Sequence, residues 1–233
     1  IMKEITLKLY SFSELEESVR KEIVERERWN VMGNNMDAWS SDWQESLSEF
    51  EKMTDTNVRG WQVDYCSYHV GSVRHKQDGP VLGDYENGYY AHELKGKYLF
   101  RYINRYILPY IEKNKTYWGQ FKYDENGKCI GHKKRISRIT PSSDNYYALT
   151  GYCGDYCLLK PILDYIKEWP KHPETTWDDL LKQCYDGFFE EWHNEYRSSA
   201  SDEFVEEELS NNHGYERFYL EDGVEFRHSC CVV

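Results

Sequence analysis

Thr176-Trp177-Asp178-Asp179-Leu180-Leu181-Lys182-Gln183-Cys184-Tyr185-Asp186-Gly187-Phe188-Phe189-Glu190-Glu191-Trp192-His193-Asn194-Glu195-Tyr196 is the most strongly patterned stretch of this 233-residue chain. Trp177, Leu180, Leu181, Cys184, Phe188, Phe189, Trp192 and Tyr196 recur at helical spacing, and Thr176 with Asp179 supplies an N-terminal cap. A helix with so broad an apolar face must lie on a core. Upstream, Leu158, Leu159, Ile162, Leu163 and Ile166 predict another helix, with Asp155 as its cap and Pro161 as a local complication. Downstream, Ser201 with Asp202 and Glu203 starts a short helix that Asn211 to Gly214 stops. Tyr215 to Leu220 and Val224 to Arg227 then flank Asp222-Gly223 as a closing hairpin.

The N-terminal half mixes both periods. Ile5, Leu7 and Leu9 alternate with Glu4, Thr6 and Lys8, which predicts a strand over 3–10. Ser13 and Glu16 predict a capping box, opening a helix striped by Leu15, Val19 and Ile23. Trp39, Trp43, Leu47 and Phe50 predict a second, short helix, and Gly60 to about Val70 a strand. A long helix is expected from Tyr89 through Leu94, Tyr98, Tyr102 and Tyr106, ending near Pro109. A hairpin is expected around Asp124-Glu125-Asn126-Gly127, between 117–123 and 128–139. Pro141-Ser142-Ser143 is the clearest loop. These elements predict an α+β fold, a mainly antiparallel sheet packed by amphipathic helices. The expected organisation is an α+β part over 1–140 and an acidic helical part with a terminal hairpin over 141–233, separable or fused in one domain.

Composition narrows the class. With 39% hydrophobic and 16% aromatic residues the chain is too apolar to stay disordered. Its apolar runs, such as Tyr106-Ile107-Leu108, fall far short of the roughly 20 residues needed to span a bilayer, and 1–4 lack a signal peptide's apolar core. We therefore expect a cytoplasmic protein without a membrane partner. Seven cysteines at irregular spacing read as reduced thiols.

Charge is segregated. From Glu174 to Glu225 sixteen carboxylates face three basic residues, a local charge of −13, whereas the rest of the chain carries 26 basic and 25 acidic groups. Carboxylates three or four residues apart on a helix lie about 5–6 Å from each other, near the phosphate spacing of a nucleic-acid strand. Asp179, Asp186, Glu190, Glu206, Glu207 and Glu208 are therefore the candidate partner-binding residues, aimed at a protein with a basic nucleic-acid cleft, and direct nucleic-acid binding is not expected. Acids in first turns, such as Asp179, also serve the helix dipole. The densest basic run, with Lys133, Lys134, Arg135 and Arg138 beside Trp118, Phe121 and Tyr123, is the alternative: a ligand-binding strand for a nucleotide. Cys66 with His69, Cys129 with His132, and Cys153 with Cys157 have ligand-like spacing, but two of the pairs fall in predicted strands, where i and i+3 point apart, so no metal or cofactor is expected. No phosphate loop, nucleophile elbow or zinc-protease signature is present, and the chain is expected not to be an enzyme.

Two stretches resemble a known family. Lys8-Leu9-Tyr10-Ser11-Phe12-Ser13-Glu14-Leu15-Glu16-Glu17-Ser18-Val19 is similar to the opening of small phage and prophage proteins of Gram-positive hosts, often labelled antitoxin-of-toxin–antitoxin-system-like. Ala148-Leu149-Thr150-Gly151-Tyr152-Cys153, continuing through 176–181 to Phe188-Phe189-Glu190-Glu191-Trp192, resembles the C-terminal part of the same group. The resemblance implies a phage-encoded accessory protein in the infected cell. Joined to the acidic block, it leads us to expect an anti-defence inhibitor, for example of a CRISPR effector. Two rivals are a sponge for a nucleotide immune signal and an antitoxin neutralising a toxin.

Overall fold

The computed structural model describes residues 6–83, 86–114, 118–125, 128–134, 146–211 and 217–226, with backbone alone along 112–114, 118–123 and 129–134. It has two compact units, one of 1–39 with 194–233 and one of 40–193. The expected boundary at 140 lies outside the described residues. Helix dominates: α1 Glu17–Thr54, α2 Gly96–Tyr102, a π-helical turn Ile103–Ile107, α3 Leu108–Asn114, α4 Gly154–Glu168, α5 Trp177–Ser199 and α6 Asp202–Ser210. The fold is α+β, but the sheet is the minor part. Among the described residues, strands of two to six residues pair only as four separate antiparallel ladders: β1 Thr56–Arg59 with β4 Ser72–His75, β2 Gln62–Val63 with β3 Tyr68–His69, β5 Trp118–Tyr123 with β6 Cys129–Lys134, and β7 Phe218–Tyr219 with β8 Glu225–Phe226. The expected main sheet is corrected accordingly. The long apolar patterns of this chain have helical period, so it is helices that bury the core.

In the first unit, Phe12, Leu15, Ile23, Val24, Val31, Val205, Leu209 and Tyr219 form one buried cluster. The N-terminal strand is not formed over 6–9. Only Tyr10 pairs, exchanging two backbone hydrogen bonds with Tyr219, of 2.9 and 2.8 Å. The capping box sits two residues before the expected one. Glu14 accepts from the Ser11 backbone N–H at 2.8 Å and from its hydroxyl at 2.9 Å, closing a 3-10 turn over Phe12–Glu14. That turn drops Phe12 and Leu15 into the core, and Phe12 meets Tyr219 edge-on with ring centroids 6.3 Å apart. Gly223, in the closing turn, has φ +80°, and a Cβ there would lie 2.7 Å from Val19. Glycine is required at that position by both backbone and space.

The two expected N-terminal helices are one. The buried positions Ile23, Val24 and Val31 do not continue into the stripe of Trp43, Leu47 and Phe50: at 100° per residue the two sets are out of phase. The intervening Gly33-Asn34-Asn35 has poor helix propensity, yet the helix runs through, with the Asn35 amide donating to the Val31 carbonyl at 3.0 Å.

The second unit is built on α5 and its neighbours. Trp43 stacks on Trp192 at 5.8 Å with planes 5° apart, Phe188 meets both rings edge-on, and Trp61 packs on Phe189 and Trp192. The expected strand from Gly60 to Val70 is instead a hairpin. Asp64 accepts from the backbone of Cys66 and Ser67 at 2.8 and 2.9 Å, which turns the chain inside the alternating pattern. The Tyr89 helix begins later, at Gly96, after a 3-10 turn over Ala91–Glu93, and it does not end at Pro109. Proline cannot donate to the carbonyl four residues back, and the π turn directly before α3 carries the helix past that missing bond. The hairpin around 124–127 forms as expected, up to Lys134. The loop at 141–143 and strand positions 135–139 lie outside the described residues.

Candidate functional site

The capping box expected of α5 is present. The Asp179 carboxylate accepts from the Thr176 backbone N–H at 3.0 Å and its hydroxyl at 2.7 Å, and the Asp179 N–H donates back to that hydroxyl at 3.1 Å. Trp177 then donates its backbone N–H to the Leu94 carbonyl at 3.0 Å and buries its ring against Tyr102. With the apolar face so anchored, Asp179, Asp186 and Glu190 share the opposite side of α5, at spacings of seven and four residues.

Their roles differ. The Thr176 hydroxyl and N–H hold the Asp179 carboxyl below the ordinary aspartate value, which identifies it as a cap. Asp186 is half-buried and lines a cleft of about 320 Å³ shared by β4 and α5, with Val70, Gly71, Val73, His75, Asp178, Lys182 and Tyr185. His75 Nε2 lies 2.7 Å from Asp178 Oδ1 there, so the cleft mixes basic groups with its acids. Glu190 is exposed. At 1.5 Å per residue the three acids advance by about 10 and 6 Å, so α5 carries discrete anionic points rather than a continuous phosphate-like track.

The other three predicted acids belong to the first unit. Glu206, Glu207 and Glu208 are consecutive on α6, so their side chains fan out by about 100° each and do not share one face. Glu207 is exposed; Glu206 and Glu208 are half-buried. The cap of α6 is as expected, with Ser201 accepting from the Phe204 N–H at 3.2 Å. Asp202 is committed to structure, 2.7 Å from Arg28, which also donates to the Ala200 carbonyl. Among the described residues Asp186, Glu190, Glu206 and Glu207 enter no ion pair.

Of the alternative site, Lys133 and Lys134 lie in β6, Lys134 in register with Trp118, while Arg135 and Arg138 are outside the described residues. Basic and aromatic residues meet elsewhere. Tyr89, Tyr98, Phe100, Arg101, Asn104 and Arg105 line a cleft of about 520 Å³. The signal was present in the sequence as Tyr98, Arg101 and Arg105, at helical spacings of three and four. Among the described residues no group of three His, Cys, Asp or Glu side chains is placed to hold a metal. Cys66 and Cys153 are exposed, and Cys184 is buried in α5, where burial pushes its thiol far above the ordinary value.

Both family-like motifs have structural work. In the run Ala148 to Cys153, the backbone N–H groups of Leu149, Thr150 and Gly151 all donate to the buried Asp155 carboxylate at 2.7–2.9 Å, and the Thr150 hydroxyl joins them. Asp155 thus caps the loop before α4 rather than that helix's own N–H groups. Comparison with protein-family models, curated proteins and solved structures finds no match. No helix among the described residues is long and apolar enough to cross a membrane.

Proposed function

We propose that this chain is a binding protein whose acidic helices dock on a basic surface of another protein, and that in the phage setting its motifs imply, the partner is a host defence protein with a basic nucleic-acid cleft, which it inhibits. The observation that carries this reading is the placement of Asp186 and Glu190 on the side of α5 opposite its buried face, without ion pairs among the described residues, in a segment of local charge −13. Unpaired surface acids lose little on meeting a basic partner and speed the encounter. The expectation of a continuous track gives way to point contacts, which suit a protein surface as well as a nucleic-acid groove.

The test is capture of the tagged protein from a bacterial lysate carrying active defence systems, at low and high salt, alongside a phage-protection assay. A nucleic-acid-binding effector should be retained at low salt and released at high salt. Asp186→Lys with Glu190→Lys should abolish capture and protection, whereas Lys134→Glu should leave both intact. Capture that survives the double reversal would remove the α5 face from the proposal.

A further inference from the structure

We propose that the cleft lined by Tyr89, Tyr98, Phe100, Arg101, Asn104 and Arg105 binds a free nucleoside phosphate. This site is separate from the acidic face of α5 and does not rest on the docking reading. Its volume of about 520 Å³ is within the usual range for small-ligand sites. One part is aromatic: Tyr89 and Tyr98 stack with centroids 4.1 Å apart and planes 28° apart, and Phe100 stacks on Trp169 at 5.0 Å. Tyr89, Tyr98 and Phe100 are half-buried: each keeps part of its ring surface exposed in the cleft, although Tyr89 and Tyr98 cover one face of each other and Trp169 covers one face of Phe100.

The other part is cationic. Arg101 and Arg105 are four residues apart on one side of the helix, both exposed and in no ion pair among the described residues. Lys97 adds a third positive charge, 5.0 Å above the Tyr98 ring. The field of these groups is felt locally: the Tyr98 phenol is held below its ordinary value, first by a hydrogen bond from Tyr89 and then by Lys97 and Arg101. Asn104 donates its amide to the Phe100 carbonyl at 2.8 Å, which leaves its side-chain oxygen to accept. Asn104 and Arg105 both stand in the π turn, a rare geometry that recurs at functional sites.

A solvated helix face accounts for two exposed arginines but not for three aromatic rings in the same concavity. Guanidinium pairs grip phosphate oxygens, and aromatic faces stack on any base. A net charge of −12 repels a long polyanion, whose binding grows with every phosphate neutralised, far more than it repels one nucleotide. The free nucleotide is therefore the favoured source of this chemistry.

Stacking tolerates any base, so ADP is an adequate probe. Calorimetry on the whole protein should show saturable ADP binding, with adenosine and inorganic phosphate each at least about tenfold weaker. Arg101→Glu and Arg105→Glu should each weaken ADP about tenfold to a hundredfold with the circular dichroism unchanged. In the unmutated protein, ADP should slow amide exchange in α2 and the π turn, a readout that needs no variant. Absence of saturable ADP binding up to about 1 mM overturns the proposal. So does binding that both charge reversals leave intact. A twelve-nucleotide thymidine strand that binds more tightly than ADP overturns the choice of a free nucleotide and replaces it with a nucleic-acid surface.

Discussion

Asp155 shows how a single carboxylate can organise a motif. It is fully buried, and its carboxyl group is met by three backbone N–H groups and the Thr150 hydroxyl. Replacing it with Ala takes the acceptor from the buried Leu149 N–H and from the partly buried donors of Thr150 and Gly151, for an expected loss of about 2–4 kcal/mol, read as a lower urea midpoint. Asn should do little better, because its NH₂ group would face donors. A loss under about 0.5 kcal/mol for Asp155→Ala would mean that water replaces the carboxylate without cost. Glu14 has a comparable local task at the surface, so the motif Phe12-Ser13-Glu14-Leu15 reads as a turn that points two apolar side chains inward. Neither motif needs a ligand to explain its residues.

At the scale of elements, α5 carries both the core and the charge. Its cap is worth about 1 kcal/mol, so Thr176→Ala should lower thermal stability measurably while leaving partner capture intact. The cap also sets a pH dependence. Asp179 titrates below the ordinary 3.8, so the folded state binds fewer protons than the unfolded one near that pH. Its contribution is complete above that value and disappears as pH falls through the lower folded value. Asp64 in the β2–β3 turn, lowered by the N–H groups of Ser67 and Cys66, acts in the same direction. Acid titration followed by circular dichroism should therefore show wild-type stability falling more steeply in that window than Thr176→Ala, whose Asp179 has lost its hydroxyl partner. Parallel curves would show that the cap does not set this dependence.

For the whole molecule, the first unit is closed where the segment Tyr10–Phe12 meets the final hairpin, since Tyr10 pairs with Tyr219 and Phe12 packs on that ring. Phe12→Ala should cost about 3–4 kcal/mol and raise amide exchange at Ile23–Val31 and Val205–Leu209, with the amides of α4 far less affected. Uniform loss of protection throughout the chain would mean that the two units unfold as one. Periodicity in the sequence was enough to locate α4, α5 and α6, the caps of α5 and α6, the closing hairpin and the hairpin at 118–134, because each of these depends on neighbours within a few residues. It also showed the charge segregation. Tertiary structure decided what periodicity cannot express. α1 is one helix although its two apolar stripes are out of phase, because each stripe finds its own core. The strand alternation after Gly60 folds back at Asp64, and the helix passes Pro109 through a π turn. Six acids adjacent in composition separate into a capping aspartate, a cleft residue, two exposed glutamates and two half-buried ones, divided between two units. Two arginines and three aromatic rings that are not part of the basic run converge on one cleft. Local pattern determines which face of an element is apolar; only packing determines which faces meet, and a site exists where they do.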